Sequence, residues 1–166
     1  MADGNEQPTP DGYGGFNWVQ AGVYNPDGTY PGYEASSEAN IAFVAEYYGD
    51  QIDGYESGDP GDAMQITRSD GADFNFVSAD FRAGFRDGVE ITVDAFDDGL
   101  LVGTKTFVVG TAGAENVTFE DDADDRFSSI DELKISAADG WEVGLHDDYF
   151  YIDNFAYSLD AVDTII

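Results

Sequence analysis

The chain has no cysteine, a single histidine (His146), and six lysines and arginines against 35 aspartates and glutamates. Without cysteine there is neither a disulfide framework nor a thiolate zinc site. A formal charge of −29 leaves no basic surface for nucleic acid or an anionic membrane, both of which are bound through Lys and Arg. No apolar run is long enough to cross a bilayer, and residues 1–10 are polar, without the apolar centre of a secretory leader. With one histidine, a Ser-His-Asp arrangement would rest on His146 alone, between Leu145 and Asp147. That setting suits a surface residue or a weak metal ligand better. No phosphate-cradling glycine loop followed by a helix occurs, nor an EF-hand loop, nor a calcium-binding nonapeptide repeat. No catalytic residue is assigned.

What is present is the material of one folded domain. The 166 residues are 42% hydrophobic and 14% aromatic, enough for a sizeable core, so the acidity is not that of a disordered tail. Such an excess of carboxylates suits cations, and hard oxygen ligands suit calcium above other common metals. The competing explanation is a solubilising or salt-adapted surface. Acids cluster at Asp50 with Asp53, Asp59 with Asp62, Asp97-Asp98, Glu120-Asp121-Asp122 with Asp124-Asp125, and Asp147-Asp148.

The pattern along the chain is that of short strands. Residues 1–10 read as a flexible lead-in, and 161–166 as a tail, around one domain over 11–160. Glycines at 14 and 15 precede a strand at Phe16-Asn17-Trp18-Val19, and Asn25-Pro26-Asp27-Gly28 is a turn. Ser37 to Tyr48 fits either a helix face (Ile41, Val44, Ala45, Tyr48) or a strand face (Ile41, Phe43, Ala45, Tyr47), and the strand-rich remainder favours the strand. Residues 63–67 form a short strand. Phe74 to Phe85 switches apolar parity between Phe76 and Val77, as a bulged strand does. Val89, Ile91, Val93 and Ala95 alternate with Glu90, Thr92 and Asp94, and Asp97-Asp98-Gly99 turns this strand into Leu100 to Val109. Residues 117–119, 133–137 and 149–157 complete the set. Short strands with turns between them predict an all-β, two-sheet antiparallel sandwich of jelly-roll type.

The last strand, Tyr149 to Tyr157, is apolar and aromatic but carries Asp153-Asn154 near its centre. A carboxylate there is costly to desolvate unless something positive meets it. With so few basic side chains, a metal ion is the expected partner of Asp153.

Taken together, Gly14-Gly15-Phe16-Asn17 at the start, Tyr151-Ile152-Asp153-Asn154 at the end, and the segments 76–81, 89–96 and 104–109 between them resemble a galactose-binding-like jelly roll of the carbohydrate-binding-module type, as found on bacterial exported surface proteins. The resemblance runs from about Gly14 to Tyr157. It implies that the first and last strands lie side by side with a structural calcium where they meet. Asp153 matches the family's closing ligand. Asn17 stands where the family commonly has a glutamate ligand, a carbonyl is expected from near Gly15, and Asp11 lies close enough to contribute.

Aromatic residues suggest a second function, because sugar C–H faces stack on flat rings while Asp and Asn accept hydroxyl hydrogen bonds. Tyr24, Tyr30 and Tyr33 in the glycine- and proline-rich loop, with Tyr55, are the expected glycan platform, and Trp18 and Trp141 are assigned to the core. The expectation is thus a non-enzymatic, calcium-binding extracellular module of a larger bacterial surface protein, with glycan or matrix polysaccharide as partner. The alternatives are a calcium-stabilised spacer, a glycan-degrading jelly-roll enzyme and a salt-adapted domain.

Overall fold

A computed structural model describes residues 6–24, 41–44, 63–120, 125–137 and 149–159. In chain order the strands are β1 (Glu6–Pro8), β2 (Phe16–Val19), β3 (Ala21–Tyr24), β4 (Ile41–Val44), β5 (Met64–Arg68), β6 (Asn75–Ala83), β7 (Val89–Asp97), β8 (Leu100–Val109), β9 (Glu115–Thr118), β10 (Glu132–Ala137) and β11 (Phe150–Ser158). A 3-10 turn, Tyr13–Gly15, precedes β2. Two antiparallel sheets result, one in the order β1-β3-β4-β11-β6-β9 and the other β2-β5-β10-β7-β8. The protein is an all-β, two-sheet sandwich. No helix among the described residues is long and apolar enough to cross a membrane.

Period-two patterning builds the interior. On β7 the inward residues Val89, Ile91, Val93 and Ala95 have no exposed surface, while Glu90 is exposed. They meet Leu133 and Ile135 of β10, Met64 and Ile66 of β5, and the phenylalanines of the opposite sheet, Phe43, Phe76, Phe81 and Phe150. Each such side chain contributes roughly 1.5–3 kcal/mol on full burial. The β7–β8 turn has Asp98 at φ 50° and Gly99 at φ 75°, so both central residues are left-handed, as a tight hairpin requires.

The parity switch expected near Phe76 is a real bulge. Between β6 and β11, Phe76 pairs with Tyr157 and Ser78 with Ala156, which leaves Val77 as the extra residue on β6. The counterpart lies on β11, where two residues, Asn154 and Phe155, separate Asp153 from Ala156 while one residue separates their partners. The ambiguous segment contributes β4, a strand, at residues 41–44.

Two expectations need correction. The sandwich begins earlier than residue 11: Glu6, Gln7 and Pro8 pair with Tyr24, Val23 and Gly22. Glu, Gln and Pro have little strand propensity, so the pairing with β3 is what makes this segment a strand. The opening and closing strands also do not lie side by side. β2 is an edge of the five-stranded sheet and β11 is interior to the six-stranded one, so the two segments meet face to face across the sandwich.

Candidate functional site

The opening turn is a glycine device. Gly12, Gly14 and Gly15 have φ of 76°, 64° and 89°, values that L side chains rarely adopt. The turn is closed by Tyr13 N–H donating to the Pro10 carbonyl (3.1 Å) and Gly15 N–H to the Gly12 carbonyl (2.9 Å). It is fastened at two points. The Trp18 indole N–H donates to the Tyr13 carbonyl (3.1 Å), and Ser69 donates both its N–H (3.0 Å) and its hydroxyl (2.9 Å) to the Gly15 carbonyl.

Opposite it, β11 departs from regular geometry at Asp153 and Asn154. Asn154 sits at φ 50°, a region Asn tolerates better than most residues. Its N–H donates to Asp153 Oδ1 (2.7 Å) and its amide to Asp80 Oδ2 (2.8 Å), while Asn116 donates to Asp80 Oδ1 (2.7 Å). One carboxylate thus links β9, β6 and β11. The bulge brings Phe155 onto the rings of Phe16 (5.2 Å between centroids), Trp18 (5.4 Å) and Phe76 (4.8 Å), and Tyr157 onto Phe16 (4.8 Å). Most of these contacts are edge-to-face, the arrangement ring quadrupoles favour, and add about 0.5–1.5 kcal/mol each beyond area burial.

Where turn and strand face each other the rings do not close up. A cleft of about 230 Å³ is left, lined by the aromatics Tyr13, Phe16, Trp18, Phe155 and Tyr157, by Gly14, by the aliphatics Val23, Ala42 and Ile152, and by Asp153 and Asn154. Tyr13 and Tyr157 are each 41% exposed, which leaves ring surface for a ligand. Apolar lining with a few convergent polar groups is the usual make-up of a small-molecule site. The volume lies below the roughly 300–1,000 Å³ typical of drug-sized ligands, so the cleft suits a small guest.

Four residues are expected from the sequence to ligate metal: Asp153, Asn17, Gly15 and Asp11. Asp153 lines the cleft. Asn17 is half-buried on β2, paired with Thr67, and the Gly15 carbonyl already accepts two hydrogen bonds from Ser69. Asp11 is exposed in the turn. The residue across the ladder from Asp153 is another carboxylate, Asp80. Of the expected platform, Tyr24 has its backbone in β3. Its side chain, with Tyr30, Tyr33 and Tyr55, lies outside the described residues, as do Trp141, His146 and the acids at 50–62, 121–124 and 147–148.

Among the described residues, one group of three carboxylates has oxygens within 4.8 Å of one another: Asp97 at the end of β7, Asp98 in the β7–β8 turn, and Asp131. Asp98 N–H donates to Asp131 Oδ2 (3.0 Å). Loss of hydration, then the charges of Asp98, Asp73 and Asp131, push the Asp97 carboxyl above its ordinary value. Elsewhere the shift is downward. Asp87 accepts the Thr111 N–H (2.6 Å) and hydroxyl (2.7 Å), which hold its carboxyl low.

Of the cleft residues, sequence pattern singled out Asp153 but not the aromatic lining, yet a signal for the latter was there. From Gly12 to Pro26 the chain carries no charged residue, although a quarter of all its residues are charged. Comparison with protein-family models and with curated proteins returns no match.

Proposed function

We propose that this domain is a non-catalytic glycan-binding module, a jelly-roll sandwich of the carbohydrate-binding-module type acting outside a bacterial cell as part of a larger surface protein. The observation that carries the reading is the cleft between the opening turn and β11, where partly exposed rings stand beside Asp153 and Asn154. Ring faces suit the C–H faces of a pyranose, and a carboxylate and an amide suit its hydroxyls. Hydrolysis of a glycosidic bond ordinarily needs two carboxyl groups about 5–9.5 Å apart across the bond. Asp153 is the single acid among the described lining residues, which favours binding over turnover.

Calcium belongs to the same proposal on grounds of charge. The Asp97, Asp98 and Asp131 group offers three carboxylates to a hard cation, and relief of their repulsion would couple ion binding to folding. Melting in calcium, magnesium, sodium chloride and chelator tests this part. A gain specific to calcium supports it, and an equal gain in sodium chloride assigns the acids to solubility.

A glycan array read beside the Tyr13→Ala variant tests the binding reading. Binding that the substitution abolishes, at unchanged melting temperature, places the ligand in the cleft. Uniform inactivity across the array favours the spacer. Release of reducing sugar from any polysaccharide would make the domain an enzyme.

A further inference from the structure

Resting on the glycan reading, we infer that the cleft selects uncharged sugars and rejects those carrying a carboxylate or sulfate. The argument begins with the basic side chains. There are six, all among the described residues, and none lines the cleft. Arg68 is paired with Asp70 and donates to the Asp73 carbonyl. Arg82 donates to the Thr111 carbonyl. Lys105 donates to the Thr118 carbonyl and lies over the Phe119 ring. Lys134 lies beside Glu132 and over Phe96. Arg86 follows β6, and the Arg126 backbone passes against Gly103. The remaining segments contain no Lys or Arg, so no other part of the chain can bring one to the site.

Carboxylates and sulfates are otherwise held by helix N-termini or by cradles of backbone N–H groups. The described residues contain no α-helix. In the glycine turn, the Tyr13 and Gly15 N–H groups are already spent on the Pro10 and Gly12 carbonyls. An anionic sugar would enter beside Asp153, in the field of a chain with a net charge of −29, and meet no Lys or Arg among the described lining residues. Arg68, across the ladder from Phe16, is held by Asp70 and the Asp73 carbonyl. A neutral pyranose needs none of this. It asks for ring faces and for hydrogen-bond groups, and the uncharged run from Gly12 to Pro26 supplies the rings of Tyr13 and Trp18.

Matched pairs of oligosaccharides decide the matter: glucose against glucuronate, galactose against galacturonate, mannose against mannuronate, at the same linkage and length. With the intact protein, a neutral member should bind at least about tenfold more tightly than its uronate partner at low salt. The gap should narrow as ionic strength shortens the Debye length from about 30 Å at 0.01 M to about 8 Å at 0.15 M. A uronate that binds as tightly as its neutral partner, or a gap indifferent to salt, overturns the inference and leaves the glycan reading standing. Failure of both members in every pair overturns the glycan reading as well.

Discussion

The β7–β8 hairpin and the seam between β2 and β11 are both built from apolar strands, and they solve different problems. In the hairpin, alternation is unbroken along β7 and four inward residues are wholly buried. At the seam, β11 carries a bulge, Asn154 is left-handed, and rings at both ends stay partly exposed. The hairpin is geometry that sequence alternation imposes. The seam is geometry that long-range packing imposes, and its irregularity is what leaves room for a ligand. Stability and recognition are therefore expected to separate between the two regions.

That separation can be broken most forcefully in the hairpin. Ile91→Ala should cost about 2–5 kcal/mol in urea denaturation, because it opens a cavity in a fully buried layer, and should leave glycan affinity of the folded protein unchanged. Next is Gly103→Ala on β8, where a Cβ would lie 2.5 Å from the Arg126 carbonyl oxygen. The obstacle is backbone, so a loss of about 1–3 kcal/mol is expected from forced displacement, and a neutral result would mean that Arg126 moves freely.

At the seam the expected effects are smaller and of another kind. Asn154→Ala should cost about 1–2 kcal/mol, as alanine is strained at φ 50° and gives up the bond to Asp80, whereas Asn154→Gly should lose less. Equal losses would show the strain to be negligible. Tyr13→Ala should shift stability by no more than about 0.5 kcal/mol while abolishing ligand binding.

The mildest probe is pH. The carboxyls of Asp70 and Asp87 are lowered in the folded state, the first by the Ala72 N–H and then Arg68, the second by Thr111. Their stabilisation is present above the unfolded value of about 3.9 and is lost as pH falls through the lowered folded values. Asp97 has the opposite sign: its raised folded value favours folding when protonated, and that advantage disappears as pH rises from about 3.9 through the raised value. Asp87→Asn should therefore flatten the acid limb of a stability profile, and Asp97→Asn should raise the melting temperature near neutral pH in chelator.

Much of the hairpin was legible in sequence because its information is local. Val89 to Ala95 alternate, Asp98-Gly99 is a turn dipeptide, and β8 spans the expected residues 100–109. The parity break at Phe76 and Val77 likewise announced a bulge. What local pattern could not tell is which sheet each strand joins. β2 and β3 are neighbours in the chain yet belong to opposite sheets, and β1 is a strand only because β3 receives it. The cleft draws on residues from Tyr13 to Tyr157, so no local window contains it. Trp18 shows the limit well: it was assigned to the core, and it does pack on Phe16 and Phe155 while also lining the cleft.

The passage from β2 to β3 has a consequence for how such a site could change. The chain moves from one layer to the other through Gln20 alone, at φ 58°. Two peptide steps, each about 3.8 Å between successive Cα atoms, are the tether that ties the two sheets at this corner. Lengthening that tether by one or two residues would let β2 shift relative to the other sheet and carry Phe16 and Trp18 with it. The aperture for a larger guest is thus adjustable by insertion at one corner, without replacing any side chain that lines it.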